Sequence, residues 1–148
     1  MKEQDIQNLL YSEFCEEKNH IMTVPNCKAV APRGESDLLS VTKALFVHEF
    51  EIKRTSTDFL REFESKSRKH EVLDNAKMDG IPNYFWFAAP ESVVEDLPEY
   101  AGHITVGKRG IDVVRDAPRL HNDKMSDRAR RYLERGLQAR LWQKRRNT

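Results

Sequence analysis

The sequence predicts an α/β fold in which a mixed sheet is flanked by helices. Three observations predict it: a periodic apolar segment near the start of the chain, several short apolar runs in its middle, and a long amphipathic segment at its end. Helices and strands that alternate along a chain commonly form one sheet covered by helices. With 148 residues, 39% of them apolar, the chain is long enough to bury the core of one domain.

Helices are predicted where apolar residues recur at spacings of three and four. Residues 3–18 carry such a stripe, and acidic residues in the first turn suit a helix N-terminus. Residues 55–73 form a second, strongly charged helix that begins at a Ser or Thr cap. A short helix is predicted at 90–97, and a basic helix at 126–144.

Strands are predicted from short apolar runs that are bounded by turn residues. Two of these runs lie close enough in the chain to form a hairpin, and the aromatic run NYFWFAA is typical of a buried strand. Polar connections that contain Pro or Gly are predicted at 19–34 and 75–82. The predicted strands cover 20–24, 38–41, 44–52, 83–89, 103–106 and 111–114.

Charge is distributed unevenly along the chain. From Lys124 to the end there are nine basic and two acidic residues, so this segment has a net charge of +7, whereas the preceding residues have −6. We therefore divide the chain into a domain at 1–123 and a basic C-terminal helix at 124–148, which packs on that domain or extends from it. A basic tail on an acidic body favours a polyanion as partner. The alternative is a solvated helix whose charges contact nothing in particular.

Membrane insertion and secretion are not expected from the sequence. No window approaches the roughly 18 apolar residues of a transmembrane helix. The N-terminal segment has acidic residues where a signal peptide would have its apolar core. We expect a cytoplasmic protein without a membrane partner, in which Cys15 and Cys27 are reduced.

The segment HEFEIKRTSTDF, residues 48–59, carries charges where a strand is predicted. Because side chains alternate along a strand, Glu49, Glu51 and Lys53 share one face. A three-residue hairpin loop would place Asp37 opposite Glu49, and it would place Glu35 opposite Glu51. A two-residue loop would turn Asp37 to the other face, so a shared acidic face predicts an odd loop or a bulge.

Such a cluster of carboxylates can hold a metal ion. Neighbouring carboxylates raise one another's pKa values unless a cation compensates them. Mg²⁺ takes one or two carboxylates and keeps several waters, and it can polarise a phosphoryl oxygen. A nearby lysine can stabilise the charge that develops on phosphorus, as metal-assisted hydrolysis of a phosphodiester requires. The alternative is a solvated strand face on which Glu and Lys side chains pair.

Longer motifs surround this segment and resemble a known family. ESDLL at 35–39 is followed by EFEIKRTSTDF at 49–59 and by Lys69-His70 in the next predicted helix. In this order the motifs resemble those of small phage and bacterial proteins of the PD-(D/E)xK nuclease superfamily. The resemblance extends from about Val24 to His121, and further matching segments are PNYF at 82–85, LPEYAG at 97–102 and APRLH at 117–121.

The resemblance implies a restriction-endonuclease-like core with Mg²⁺ or Mn²⁺ as its cofactor. Asp37 and Glu51 would hold the ion together with the carbonyl of Ile52, and Lys53 would be the catalytic lysine. The superfamily often adds a glutamate from the first helix. The candidates here are Glu3, Glu13 and Glu17, among which we favour Glu13. Many members have a proline where this chain has Ser36.

The function implied by the resemblance is a metal-dependent endodeoxyribonuclease, phage-encoded or acting in DNA processing or repair. His70 would face the site, although a buried histidine with satisfied hydrogen bonds or a surface histidine is the alternative. DNA is the expected partner in preference to RNA. A second copy of the chain could dock on the apolar stripe of the basic helix. The alternative function is a non-catalytic nucleic-acid-binding or regulatory protein on the same fold. The expected contacts with nucleic acid are Lys66, Arg68, Lys69, Arg119, Arg128 and Arg131.

Overall fold

A six-stranded mixed sheet forms the centre of the molecule. The computed structural model describes residues 1–28, 35–75 and 81–148, so the predicted connections at 19–34 and 75–82 lie partly outside the described residues. The strands stand in chain order across the sheet, with β3, β4 and β5 parallel and the other neighbours antiparallel. The predicted α/β class is confirmed. The strands are β1 Met22–Cys27, β2 Ser36–Val41, β3 Val47–Ile52, β4 Tyr84–Pro90, β5 Ala101–Gly107 and β6 Gly110–Arg115.

In the part of the chain that the structure describes, four α-helices pack around this sheet. The first continues into a π-helical segment, Ser12–Glu17, which accounts for the predicted helix at 3–18. None of the helices that the described residues form is long and apolar enough to cross a membrane. The helices are α1 Glu3–Tyr11, α2 Ser56–Ser65, α3 Ser67–Asn75 and α4 Asp127–Arg146.

Two helix predictions need correction. The predicted helix at 55–73 is two helices, because Lys66 between them has φ −122° and ψ 37°, outside the helical region. The predicted helix at 90–97 is wrong. Ser92 and Asp96 have φ values of 70° and 47°, and a residue in the left-handed region interrupts a right-handed helix.

The β2–β3 hairpin has a five-residue loop, 42–46. Leu39 pairs with Glu49, and the same register places Asp37 opposite Glu51. The predicted odd loop is confirmed, whereas the predicted pairing of Asp37 with Glu49 is wrong, as is that of Glu35 with Glu51.

Hydrogen bonds within the loop explain its length. The Thr42 N–H donates to the Phe46 carbonyl at 2.9 Å, and the Thr42 hydroxyl accepts from the Phe46 N–H at 3.0 Å. Leu45 adopts a φ of 70°, which lets the chain reverse within the loop. The sequence lacks the Asn-Gly signal of a two-residue hairpin, so the side chain of Thr42 sets the register instead.

The two faces of the sheet are covered by different helices. One face packs against α1 and the π-helical segment through an apolar cluster that includes Ile6, Phe14 and Phe50. On the opposite face, α2 and α3 pack over β4 through a cluster that includes Phe59 and Phe87. Glu49 and Glu51 alternate with Phe50, so their side chains lie on the α2–α3 side.

Helix α4 packs on the domain along one stripe and is otherwise exposed. Leu133 is buried against residues of β1, β2 and β3. Arg140 donates to the carbonyl of Pro25 at 2.7 Å and to that of Asn26. Tyr132, Leu141 and Trp142 belong to the predicted apolar stripe of this helix and remain at least half-exposed.

His48 lies partly buried in an aromatic layer on the α1 side of the sheet. Its ring stacks on Tyr84, with 4.3 Å between ring centroids, and its Nδ1 accepts from Trp86 Nε1–H at 3.0 Å. An indole nitrogen only donates, so this nitrogen of His48 carries no proton. Burial, followed by the charges of the neighbouring His20 and Lys18, lowers the pKa of His48 from 6.5 to about 3.

Acidification should therefore destabilise the fold through His48. The unfolded chain takes up this proton below pH 6.5 and the folded chain does not, so stability is complete above that pH and is lost as the pH falls towards 3. We expect a loss of about 1–2 kcal/mol between pH 7 and pH 5 in urea unfolding. His48→Gln, whose amide oxygen can accept from Trp86, should remove that part of the loss. An unchanged pH slope in this variant would contradict the assignment.

Candidate active site

Three glutamates and three lysines form a polar centre between the sheet and helices α2 and α3. The glutamates are nearly inaccessible to solvent: Glu49 and Glu51 are 0% exposed and Glu62 is 1% exposed. The predicted alternative of a solvated strand face is therefore wrong, because α2 and α3 cover this face. We call the set Glu49, Glu51, Glu62, Lys53, Lys66 and Lys69 the acid–lysine network.

Lys69 lies between the two glutamates of β3. Its Nζ is 2.9 Å from Glu49 Oε2 and 2.5 Å from Glu51 Oε1. Burial by itself would lower the pKa of Lys69, but the two carboxylates raise it above its ordinary value, so this lysine is a cation. Ser36 donates to Glu49 Oε1 at 2.9 Å. Glu49 is thus an internal ion-pair partner and not a surface charge.

Lys66 and Lys53 meet at Glu62. Lys66 Nζ is 3.2 Å from Glu51 Oε2 and 3.3 Å from Glu62 Oε1, and Lys53 Nζ is 2.7 Å from the same Glu62 oxygen. Burial by itself would raise the pKa of Glu62, but the hydrogen bonds from His70 and Lys53 outweigh it and hold this pKa well below its ordinary value. Charges therefore alternate through the acid–lysine network.

His70 extends the network away from β3. Its Nε2 lies 2.8 Å from Glu62 Oε2 and its Nδ1 lies 2.6 Å from the Tyr100 hydroxyl. A carboxylate only accepts, so Nε2–H donates to Glu62. Burial, followed by the charge of Asp74, raises the pKa of Tyr100. His70 is a buried histidine with partners on both nitrogens, as the alternative prediction had it.

Sequence reasoning missed Glu62 and Tyr100. Glu62 lies three residues after Phe59 and four before Lys66, so it shares their side of a helix, and that spacing was a usable signal. Tyr100 comes from the loop before β5 and is 30 residues away from its partner His70, so no local pattern relates the two.

Asp37 lies at the edge of the network, at the start of β2. Its Oδ2 accepts from the Ile52 N–H at 2.8 Å, which places the Ile52 backbone beside the carboxylate. Burial, followed by the charge of the adjacent Glu51, raises the pKa of Asp37 to about 8. Among the described contacts, Asp37 has no lysine partner, whereas each glutamate of the network contacts at least one lysine.

Among the acids of the first helix, Glu3 is the one whose charge acts on Asp37. It contributes to the raised pKa of Asp37 after burial and Glu51. Glu13 lies in the π-helical segment, 4.0 Å from Lys18 Nζ, and no described contact joins it to Asp37. Gln7 also reaches β2, since its Nε2 donates to the Asp37 carbonyl at 2.8 Å. The electrostatic effect on Asp37 thus favours Glu3 over the predicted Glu13.

Two carboxylates could hold a hydrated divalent ion at this edge. In the described parts of the chain, no group of three or more His, Cys, Asp or Glu side chains could hold a metal ion. Mg²⁺ needs only one or two carboxylates because water completes its coordination. Asp37 and Glu51 occupy opposed positions on neighbouring strands, and the raised pKa of Asp37 marks a site that favours added positive charge.

The residues predicted to contact nucleic acid lie in three different settings. Lys69 is 7% exposed and its ammonium contacts the carboxylates of Glu49 and Glu51, which favours a structural role. Arg119 is exposed, donates to the Tyr84 hydroxyl at 2.7 Å and lies over the Phe46 ring. The other predicted contacts reach solvent, Lys66 partly and Arg68, Arg128 and Arg131 more fully.

Comparison with known proteins relates the fold to one solved structure. No family model matches the chain, and no curated protein matches it. The structure is similar to that of the SPO1766 protein of unknown function from Silicibacter pomeroyi, with a TM-score of 0.69. The similarity covers 99% of this chain and 92% of that one, at 15% sequence identity. At this level of identity the similarity shows a shared fold and nothing about function.

Proposed function

We propose that the protein is a metal-dependent nuclease that hydrolyses phosphodiester bonds in DNA. The observation that carries the proposal is the opposed pair of carboxylates, Asp37 and Glu51, which borders the three lysines of the acid–lysine network. Glu51 contacts two lysines, but no described ion pair joins Asp37 to a cation, and an uncompensated carboxylate beside another carboxylate is costly to a fold. Such unfavourable arrangements of charge are typical of functional sites. The function that two carboxylates suit best is binding a divalent cation.

The chemistry follows from the groups at this edge. A divalent ion bound there would polarise a phosphoryl oxygen and acidify a water. Asp37 and Glu51 would orient the ion, and the resemblance assigns Lys53 as the catalytic lysine. The Lys53 ammonium contacts Glu62 and is 13% exposed, so a phosphate would have to approach closely to reach it. The bond from water oxygen to phosphorus forms as the bond to the leaving oxygen breaks.

Affinity for DNA would come from exposed cations outside the network. Helix α4 presents Arg128 and Arg131 to solvent and ends in Lys144, Arg145 and Arg146. Contacts of this kind with phosphate groups release counterions, so binding should weaken steeply as salt increases. The described residues include no inserted element for reading bases, so weak sequence specificity is expected.

A direct assay tests the proposal. Plasmid and oligonucleotide DNA incubated with Mn²⁺ or Mg²⁺ should be cleaved, and chelation of the metal should stop cleavage. Lys53→Ala and Asp37→Ala should each lower the rate by at least about 100-fold, because each removes a group that acts in the transition state. Cleavage that persists undiminished in both variants would contradict this mechanism. RNA oligonucleotides in the same assay distinguish the two substrates.

A second candidate function is a nucleic-acid-binding protein without catalysis. The observation in its favour is that both carboxylate oxygens of Glu51 already contact lysines, Oε1 with Lys69 and Oε2 with Lys66. Such internal ion pairs can be structural only. This function predicts salt-dependent DNA binding with no cleavage in any divalent metal, and the same assay, combined with a binding measurement, separates the two.

A further inference from the structure

We propose that Lys66 is a second catalytic residue, whose ammonium contacts the non-bridging oxygens of the scissile phosphate. The inference rests on the proposed nuclease function and extends it to a residue outside the E-x-K motif. Its basis is the different placement of the three lysines in the acid–lysine network.

Only one of the three lysines combines contact with Glu51 and access to solvent. Lys69 contacts Glu51 but is 7% exposed. Lys53 is 13% exposed, and its ion pair in the described structure is with Glu62. Lys66 is 35% exposed and lies 3.2 Å from Glu51 Oε2. A phosphate that arrives from solvent at the Asp37–Glu51 pair would therefore meet Lys66 first.

The break between α2 and α3 gives Lys66 this position. Its backbone leaves the helical region, although its N–H still donates to the Glu62 carbonyl at 2.9 Å. Glu62 Oε1 holds the Lys66 ammonium at 3.3 Å, and Glu62 is itself fixed through Oε2 by His70. The Lys66 ammonium is thus fixed in place by its contacts, unlike that of a freely moving surface lysine.

In this position the Lys66 ammonium is suited to stabilise the transition state of phosphodiester hydrolysis. Charge on the non-bridging oxygens of phosphorus increases or spreads as the water oxygen bonds and the leaving oxygen departs. The Lys66 ammonium would donate hydrogen bonds to these oxygens and keep its protons throughout. Because it is already oriented by two carboxylates, little reorganisation is needed during the reaction.

Lys66→Met tests the inference by separating rate from affinity. Cleavage of an oligonucleotide is followed in single turnovers at saturating protein with Mn²⁺, and DNA affinity is measured by fluorescence anisotropy in chelator. We expect the rate to fall by at least about 100-fold while the dissociation constant changes by less than about threefold. Lys66→Arg should recover part of the rate, because it restores a cationic donor.

Arg61→Met is the matched control, since it removes a positive charge from an exposed position on α2 outside the network. It should leave the rate unchanged. Thermal melting verifies that each variant is folded, and Lys66→Gln serves as a second neutral variant if the methionine variant melts early.

Three results would overturn the inference. If Lys66→Met cleaves at a rate within about threefold of the wild-type rate, Lys66 has no catalytic role. The proposed nuclease function would be unaffected by that result, because the wild type still cleaves DNA. If Lys66→Met binds DNA more weakly but cleaves it at the wild-type rate at saturating protein, Lys66 only contributes to DNA binding and has no catalytic role. If the wild type does not cleave DNA at all, the proposed nuclease function is wrong, and so is this inference.

Discussion

Asp37→Asn is expected to abolish metal-dependent cleavage and at the same time to stabilise the fold. Asparagine keeps the shape of the side chain and an oxygen that can accept from the Ile52 N–H. It removes the negative charge that Glu51 opposes across the two strands. At pH 8 in chelator, urea unfolding should show a gain of about 1–3 kcal/mol, because the repulsion between the partly buried Asp37 and the buried Glu51 is relieved.

Metal should stabilise the wild type but not the Asp37→Asn variant. Mn²⁺ stabilises a folded chain that binds it, by about 2.7 kcal/mol at one hundred times the dissociation constant. We therefore expect Mn²⁺ to raise the melting temperature of the wild type and to leave that of Asp37→Asn unchanged. Asp112→Asn, an exposed carboxylate on β6, is the matched control and should change neither stability nor cleavage. An Asp37→Asn variant that cleaves DNA at the wild-type rate would exclude Asp37 as a ligand.

Lys69→Met should be among the most destabilising single substitutions in the network. It leaves Glu49 and Glu51, both fully buried, without the cation that lies between them. Removal of one partner from a buried ion pair typically costs about 3–5 kcal/mol, because the remaining charge is uncompensated. Urea unfolding at neutral pH measures the loss.

A double variant tests the cause of this loss. Adding Glu49→Gln to Lys69→Met removes the carboxylate that has lost its described cation, since Glu51 still contacts Lys66, and should recover at least about 1 kcal/mol. Arg68→Met is the control for stability, because Arg68 is 66% exposed and pairs only loosely with Glu71 at 3.5 Å. It should cost less than about 0.5 kcal/mol. A Lys69→Met loss as small as that of the control would mean that water or rearrangement compensates the two glutamates.

Much of the fold could be predicted from local sequence patterns. The alternation of Glu49, Phe50 and Glu51 marked a strand with two distinct faces, and the aromatic run at 83–89 marked the central buried strand β4. Both signals are periodicities of neighbouring residues, which is why they are readable without the tertiary structure. The break at Lys66 was not predicted, because no Gly or Pro marks it and the charged pattern continues across it.

The candidate site was only partly predictable, for a physical reason. Asp37, Glu51 and Lys53 belong to motifs that stand on adjacent strands, and their juxtaposition needs only an odd hairpin loop. The pairing of Glu62 with Lys53 depends on how α2 lies across the sheet. That arrangement is decided by the packing of Phe59 against Phe87, which no local pattern encodes.

The sequence by itself determined the α/β class, the shared face of Glu49, Glu51 and Lys53, and the concentration of positive charge in the last helix. Only the tertiary structure decided which charges meet. It buried Glu49 and Glu51 under α2 and α3, and it brought Lys69 between them. Periodicity places a side chain on a face, whereas the cost of burying a charge can be offset only by partners that the whole fold brings within contact.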